Sequence, residues 1–321
     1  MGVLNVRAVK RGIIAGTALA MVTVLAACGS DSGSGSSSTA ATTAAATSAS
    51  SAASSATSAA TSEGSASASS GAVTVDTSTL NLLTPGTLTV GMNLQFEPEM
   101  YLDDAGQPAG YDVDLLNALA TELGLTLDIQ NLDFNGLIPG LQSKKFDMVS
   151  VGLTATDERK KVVDFSREYV PYTSVLAVKN DDTTAPTIEN YNQSGKVITA
   201  LQGSSGEQLA KDTFPNATVS GFPDQNAALL EVSTGRAQGS VLEDYILAQY
   251  QKANPDQVKK ADLPEPLQIG YGSWAVQKGN TALVDVLNTF LCTQQTDGGL
   301  AAFYEKNFEV PAADFPEMPA C

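Results

Sequence analysis

Arg159 is the residue whose type and setting best suit it to ligand chemistry. Its planar guanidinium forms a fork that matches a carboxylate in two parallel hydrogen bonds. Thr156, three residues earlier, is placed to cap a helix whose first N–H groups favour an anion. A surface arginine paired with Asp157 or Glu158 would look the same, and spacing alone leaves both open. Ser204 and Ser205 lie in the run Gly203-Ser204-Ser205-Gly206, at an expected strand-to-helix turn where hydroxyl and backbone donors can face an anion. Asp244 ends an expected strand, where the carboxyl ends of parallel strands open onto a cleft. It also fits a plain N-cap for a helix starting at Tyr245. Together these groups answer one anionic and one cationic centre, and buried charge left unanswered is expensive. Bond-breaking chemistry has less to work with. Histidine is absent from all 321 residues, which removes the usual general base, the Ser-His-Asp triad and most zinc sites.

The elements that must carry these residues follow from periodicity. Thr87 to Met92 has strand character after the Pro85-Gly86 turn. Val113, Leu116, Leu119, Ala120 and Leu123 recur at helical spacing, with Gly124 where a C-terminal cap belongs. Residues 125–132 alternate as a strand, 137–145 read as a helix with Pro139 in its first turn, and 146–151 form a short buried strand. A second block repeats the pattern, with strands over 196–201, 217–222 and 239–242 and helices over 207–213, 226–234 and 245–253. A strand over 268–276 leads into a last helical section. Strands alternating with helices predict an α/β fold with mainly parallel pairing.

The termini bear on compartment. Arg7, Lys10 and Arg11 precede the uncharged apolar run 12–27, which reads as a cleavable export signal because no stop-transfer flank follows. Its end, Leu25-Ala26-Ala27-Cys28, resembles a bacterial lipobox, which implies a diacylglycerol on Cys28 and cleavage over 1–27. Residues 28–73 are almost wholly Ser, Ala, Thr and Gly and cannot bury enough apolar surface to offset the entropy of ordering, so a disordered tether is expected. Without the three basic residues of the signal, 15 basic face 35 acidic side chains, a net charge of −20. Such a chain is a poor binder of nucleic acid or of anionic membrane surfaces. With Cys28 taken by lipid, Cys292 and Cys321 are left either as a disulfide pair in an oxidising compartment or as a buried thiol and a free one.

Several segments then resemble one family in order and spacing. They are Gly110 to Leu115 (GYDVDL), Asp133 to Leu141 (DFNGLIPGL), Gly152 to Lys160 (GLTATDERK), Asp164-Phe165-Ser166, Gln202 to Gly206 (QGSSG) and Val241 to Asp244 (VLED). The chain resembles the family 3 extracellular solute-binding proteins, which serve polar amino-acid ABC importers, across essentially all of residues 80–310. The resemblance implies that Arg159 clamps a ligand α-carboxylate, with Ser204 and Ser205 completing its shell. Asp244 would accept the ligand ammonium, helped by the Gly152 carbonyl and the Thr154 hydroxyl. Phe96 and Phe134 would wall the ligand side chain. Asn93, Leu201 and Glu243 fall where members vary with that side chain.

The implied fold is periplasmic-binding-protein-like: two α/β lobes joined by a two-strand hinge, with the ligand cleft between them. Lobe 1 would comprise 74–168 and 272–321, lobe 2 would comprise 174–266, and crossovers would lie at 169–173 and 267–271. The expected role is capture of a polar amino acid by lobe closure and delivery to ABC permease subunits. No metal, cofactor or nucleic acid enters this expectation. The protein would be a monomer on the extracytoplasmic face, touching the membrane through its lipid anchor only. Two other roles on the same fold are a sensor subunit and a cyclohexadienyl-type dehydratase; histidine's absence weighs against the enzyme.

Overall fold

Alternating apolar residues in the computed structural model lie where the sequence periodicity puts them, on strands covered by helices. The structure describes residues 75–321; the export signal, Cys28 and the 28–73 tether fall outside the described residues. The first block runs β1 (Thr87–Met92), β2 (Gln95–Phe96), β3 (Met100–Leu102), β4 (Pro108–Ala109), α1 (Tyr111–Leu123), β5 (Thr126–Asn131), α2 (Leu137–Gln142), β6 (Met148–Leu153) and α3 (Asp157–Lys160). The long β7 (Val163–Lys179) leads to α4 (Ile188–Tyr191), β8 (Val197–Leu201), α5 (Ser205–Thr213), β9 (Thr218–Phe222), α6 (Gln225–Ser233), β10 (Gly239–Glu243), α7 (Asp244–Ala253) and β11 (Val258–Lys260). The chain closes with β12 (Gln268–Gln277), α8 (Thr281–Thr296) and α9 (Gly299–Phe308).

The main sheet has the order β5-β1-β6-β12-β7-β10-β8-β9, with β11 also on β7, and β2, β3 and β4 form a separate small antiparallel sheet. On one side β1 pairs in parallel with β5 and β6, and on the other β8 pairs in parallel with β9 and β10. The antiparallel pair β7 and β12 joins the two sides. β7 meets β12 over Val163 to Ser174, then turns its far end to β10 and β11. This is the two-lobed architecture. β7 itself is longer than anything the local pattern predicts, because neither lobe alone explains a strand that serves both.

Burial follows the pattern. Leu88, Val90 and Met92 of β1 and Leu115, Leu116 and Leu119 of α1 are fully buried in the larger core, while Leu176, Ile198, Phe214 and Val241 belong to a smaller one in the second lobe. Gly124 caps α1 in the left-handed conformation at φ 64°, its N–H bonded to Ala120 and Thr121 carbonyls. The helix predicted over 137–145 stops at Gln142, since Lys144 adopts φ 59° and turns the chain into β6. Cys292 and Cys321 are joined in a disulfide, which ties the tail to α8 across 29 residues of sequence. Arg167 reinforces that tie by donating to the Pro319 carbonyl at 2.7 Å. Loop closure of this size contributes about 3–4 kcal/mol through the unfolded chain. Among the described residues, no helix is long and apolar enough to cross a membrane.

Candidate functional site

The strand ends that face one another across the hinge enclose a cavity. Its first-lobe wall includes Phe96 of β2, Glu99, Phe134 and the β6 end from Val151 to Thr154, followed by Arg159. Tyr172 on β7 contributes from the hinge. The second-lobe wall includes Leu201, Ser204, Ser205, Gln225, Glu243 and Tyr245. Thus Phe96, Phe134, Gly152, Thr154, Arg159, Ser204, Ser205 and Glu243 come together as the sequence places them.

Arg159 sits in α3, four residues long, which Thr156 caps by accepting the Arg159 N–H. The guanidinium does not pair with Asp157 or Glu158. It donates from Nη1 to the Thr154 carbonyl at 2.9 Å and from Nη2 across the cleft to the Gly203 carbonyl at 3.0 Å. Its carbon lies 5.9 Å from the centre of the Phe134 ring, within cation–π range. Burial lowers its pKa to about 10, with Glu243 opposing, so it is cationic at neutral pH. The Thr154 hydroxyl reaches Ser205 Oγ at 3.2 Å, and Ser204 caps α5 by accepting the Glu207 N–H at 3.0 Å. The α5 N-terminus therefore faces the arginine, with Ser205 as its first helical residue.

Two of the expected residues lie outside the cavity wall. Asp244 is exposed and does not line the cavity, whereas Glu243 does. The reason is register: Glu243 is the last residue of β10, and Asp244 is already the first of α7, turned outward. Burial raises the Glu243 pKa, the neighbouring Asp244 adds to this, and Arg159 opposes it. Of the two acids that end the VLED run, Glu243 is the one on the cavity wall. Asn93 is buried but outside the cavity wall. Its amide donates to the Leu132 carbonyl at 2.7 Å and accepts from Gln95 Nε2, which joins the ends of β1 and β5.

Four polar cavity residues escaped sequence reasoning: Glu99, Tyr172, Gln225 and Tyr245. Glu99 is 1% exposed and takes hydrogen bonds from the hydroxyls of Tyr172 and Tyr245. The Gln225 backbone N–H donates to Gln95 Oε1 across the cleft at 3.2 Å, and Gln249 donates to Glu97 at 2.6 Å. Two acids, Glu97 and Glu99, stand in the stretch Phe96 to Met100 and spacing does not say which turns inward; nor does it separate a buried tyrosine of this kind from core.

Beneath Gly152 lies Asp112, fully buried, whose Oδ2 accepts from Ser150 and Tyr169 at 2.6 Å each while Oδ1 has no partner. The Tyr169 hydroxyl in turn accepts the Gly152 N–H at 3.1 Å. Burial raises the Asp112 pKa to about 7, against the pull of the two hydroxyls. A carboxyl with a raised folded-state pKa binds its proton more tightly when folded, so stability falls as pH rises from about 4 to about 7 and is flat above. The contribution is on the order of 4 kcal/mol at most. Urea unfolding should show this loss between about pH 4 and 7, and Asp112→Asn should flatten it; an unchanged slope in the variant would refute the assignment.

The chain matches the bacterial extracellular solute-binding proteins, family 3, over residues 88–310. It is 29% identical over 226 residues to the arginine-binding extracellular protein ArtP of Bacillus subtilis (strain 168), covering 69% of this chain and 86% of that protein. A solved structure of an ancestral arginine-binding protein bound to glutamine superposes with a TM-score of 0.64 at 34% identity, covering 71% of this chain and 100% of that one. An ancestral amino acid-binding protein described as a precursor of cyclohexadienyl dehydratase gives 0.63 at 34% identity, covering 70% and 96%. The match extends over the strand ends that build the cavity, and the chain belongs to the family 3 bacterial extracellular solute-binding proteins.

Proposed function

We propose that this protein captures a free polar amino acid between its lobes and presents it to an ABC importer. The observation that carries the reading is the pairing, in one cavity, of the Arg159 guanidinium from the first lobe with the Glu243 carboxylate from the second. The ligand α-carboxylate takes the free donors of Arg159 and of the α5 start, including Ser204 and Ser205. The α-ammonium goes to Glu243, the Thr154 hydroxyl and the Gly152 carbonyl. Phe96 and Phe134 flank the rest. The lobes divide as 74–168 with 272–321 and 174–266, hinged over 169–173 and 267–271. A ligand that touches both lobes favours the closed form over the open one, and this differential affinity makes closure report occupancy. The relatives named above support an amino acid as the ligand class.

In this reading the role is binding without turnover, and the permease partners recognise the closed monomer. The export signal, the Cys28 lipid and the 28–73 tether hold the lobes outside the cytoplasmic membrane; two acyl chains suffice for stable anchoring. The test is thermal unfolding of the purified protein against the standard L-amino acids. At about 100 times Kd a true ligand adds about 2.7 kcal/mol, a rise on the order of 5 °C or more for a domain of this size. No shift with any amino acid would overturn the reading.

A further inference from the structure

We propose that Glu99 receives a second cationic nitrogen of the ligand, so that the cavity selects amino acids with positively charged side chains over neutral ones. The inference rests on the amino-acid reading above and deepens it. Arg159 and Glu243 already answer the two charges every amino acid carries. Glu99 is a third charged group in the same cavity, 1% exposed and lodged between two phenol hydroxyls from separate elements, Tyr172 on β7 and Tyr245 on α7. Two donors aimed at one carboxyl make a cradle for its ionised form, yet the cradle holds no positive charge. Among the described residues Arg159 is the one basic residue of the cavity wall, and its field acts on Glu243. No ion pair reaches Glu99 among the described residues.

Buried charges are paired or neutralised. Burial, then the nearby Asp112 carboxyl, hold the Glu99 pKa well above its usual range, the two tyrosine hydroxyls pull it down, and Glu243 adds to the rise. Its proton is thus held more tightly than a free carboxyl holds one, and an arriving cation favours its release. A second polar group of the same wall is also unanswered: Gln225 is 3% exposed and its Nε2 has no hydrogen-bond partner. The cavity therefore carries more polar capacity than the two α-groups of a neutral, short amino acid consume.

The experiment is isothermal titration of the full-length protein and of Glu99→Gln with L-arginine, L-lysine and L-glutamine at pH 7, in two buffers of different protonation enthalpy. The wild type should prefer a basic ligand by about tenfold or more, and Glu99→Gln should shrink that ratio by about tenfold. Basic ligands should also release protons from the wild type, seen as a buffer-dependent heat, while L-glutamine should not. This second measurement needs no variant. A wild type that favours glutamine, a ratio preserved in Glu99→Gln, or proton-neutral binding of the basic ligands would each overturn the selectivity while leaving amino-acid capture standing. Absence of binding by every amino acid would overturn both.

Discussion

Arg159→Ala should lose ligand binding by a factor on the order of 30 to several thousand, read as Kd by titration calorimetry with whichever amino acid the wild type holds. The estimate follows from truncating one partner of a buried, hydrogen-bonded charge pair, which costs about 2–5 kcal/mol. Much of that cost is borne by the partner left behind. Without the guanidinium, a ligand carboxylate brought between the lobes would meet the Glu243 carboxylate with no cation in the cavity wall to offset either. The unliganded fold should be affected far less, because Arg159 bonds only backbone carbonyls, of Thr154 and Gly203, and its own burial is unfavourable enough to lower its pKa. Arg159→Lys should recover only part of the affinity, since an ammonium keeps the charge and loses the fork. Wild-type affinity in the alanine variant would remove the carboxylate clamp from the mechanism.

The sequence conveyed this arginine well and its counter-charge less well, for a physical reason. Arg159 stands beside a capping threonine that fixes where α3 starts, but spacing left a surface pair with Asp157 or Glu158 equally open, and the family resemblance carried the choice. Glu243 and Asp244 are adjacent acids at a strand-to-helix junction, where one residue of register decides which points inward. Local pattern holds no information on that choice; the tertiary path of β10 into α7 settles it. The same limit applies to Glu99, Tyr172 and Tyr245, which lie far apart in sequence and become one group only when the lobes meet. Short strands such as β1 and helices such as α1 were legible because their partners are near and their periodicity is strong. β7 was not, because its length is dictated by two lobes at once. Asn93 is ambiguous for another reason: an amide at a strand end serves backbone closure as readily as a ligand.

Gly152→Ala should be the most disruptive single-methyl change in the site. Gly152 has φ 56°, a region where a side chain costs about 1–2 kcal/mol. The added carbon would fall on the Tyr172 hydroxyl, with Tyr172 Cζ at 2.6 Å and Glu99 Oε1 at 2.7 Å. The strand cannot retreat, since Gly272 of β12 packs so closely that its own Cβ would lie 2.7 Å from Gly152 Cα. Tyr172 must therefore swing away and leave Glu99 with one hydroxyl donor in place of two. Overpacking of this kind adds about 1–3 kcal/mol, so a total of about 2–5 kcal/mol is expected, measured as the shift in urea-unfolding midpoint at unchanged slope. Ligand affinity should fall as well, since Gly152 and Tyr172 both border the cavity. Gly270→Ala on β12 is the control: nothing lies within 4 Å of its added carbon, and it should change stability by no more than about 0.5 kcal/mol. Pairing Gly152→Ala with Tyr172→Phe removes the hydroxyl that the new methyl strikes, so the double variant should be less destabilised than the sum of the two single ones. Strict additivity would show that the clash with Tyr172 is not the cause, and a Gly152→Ala protein of wild-type stability and affinity would show that this glycine is not needed where β6 meets the ligand.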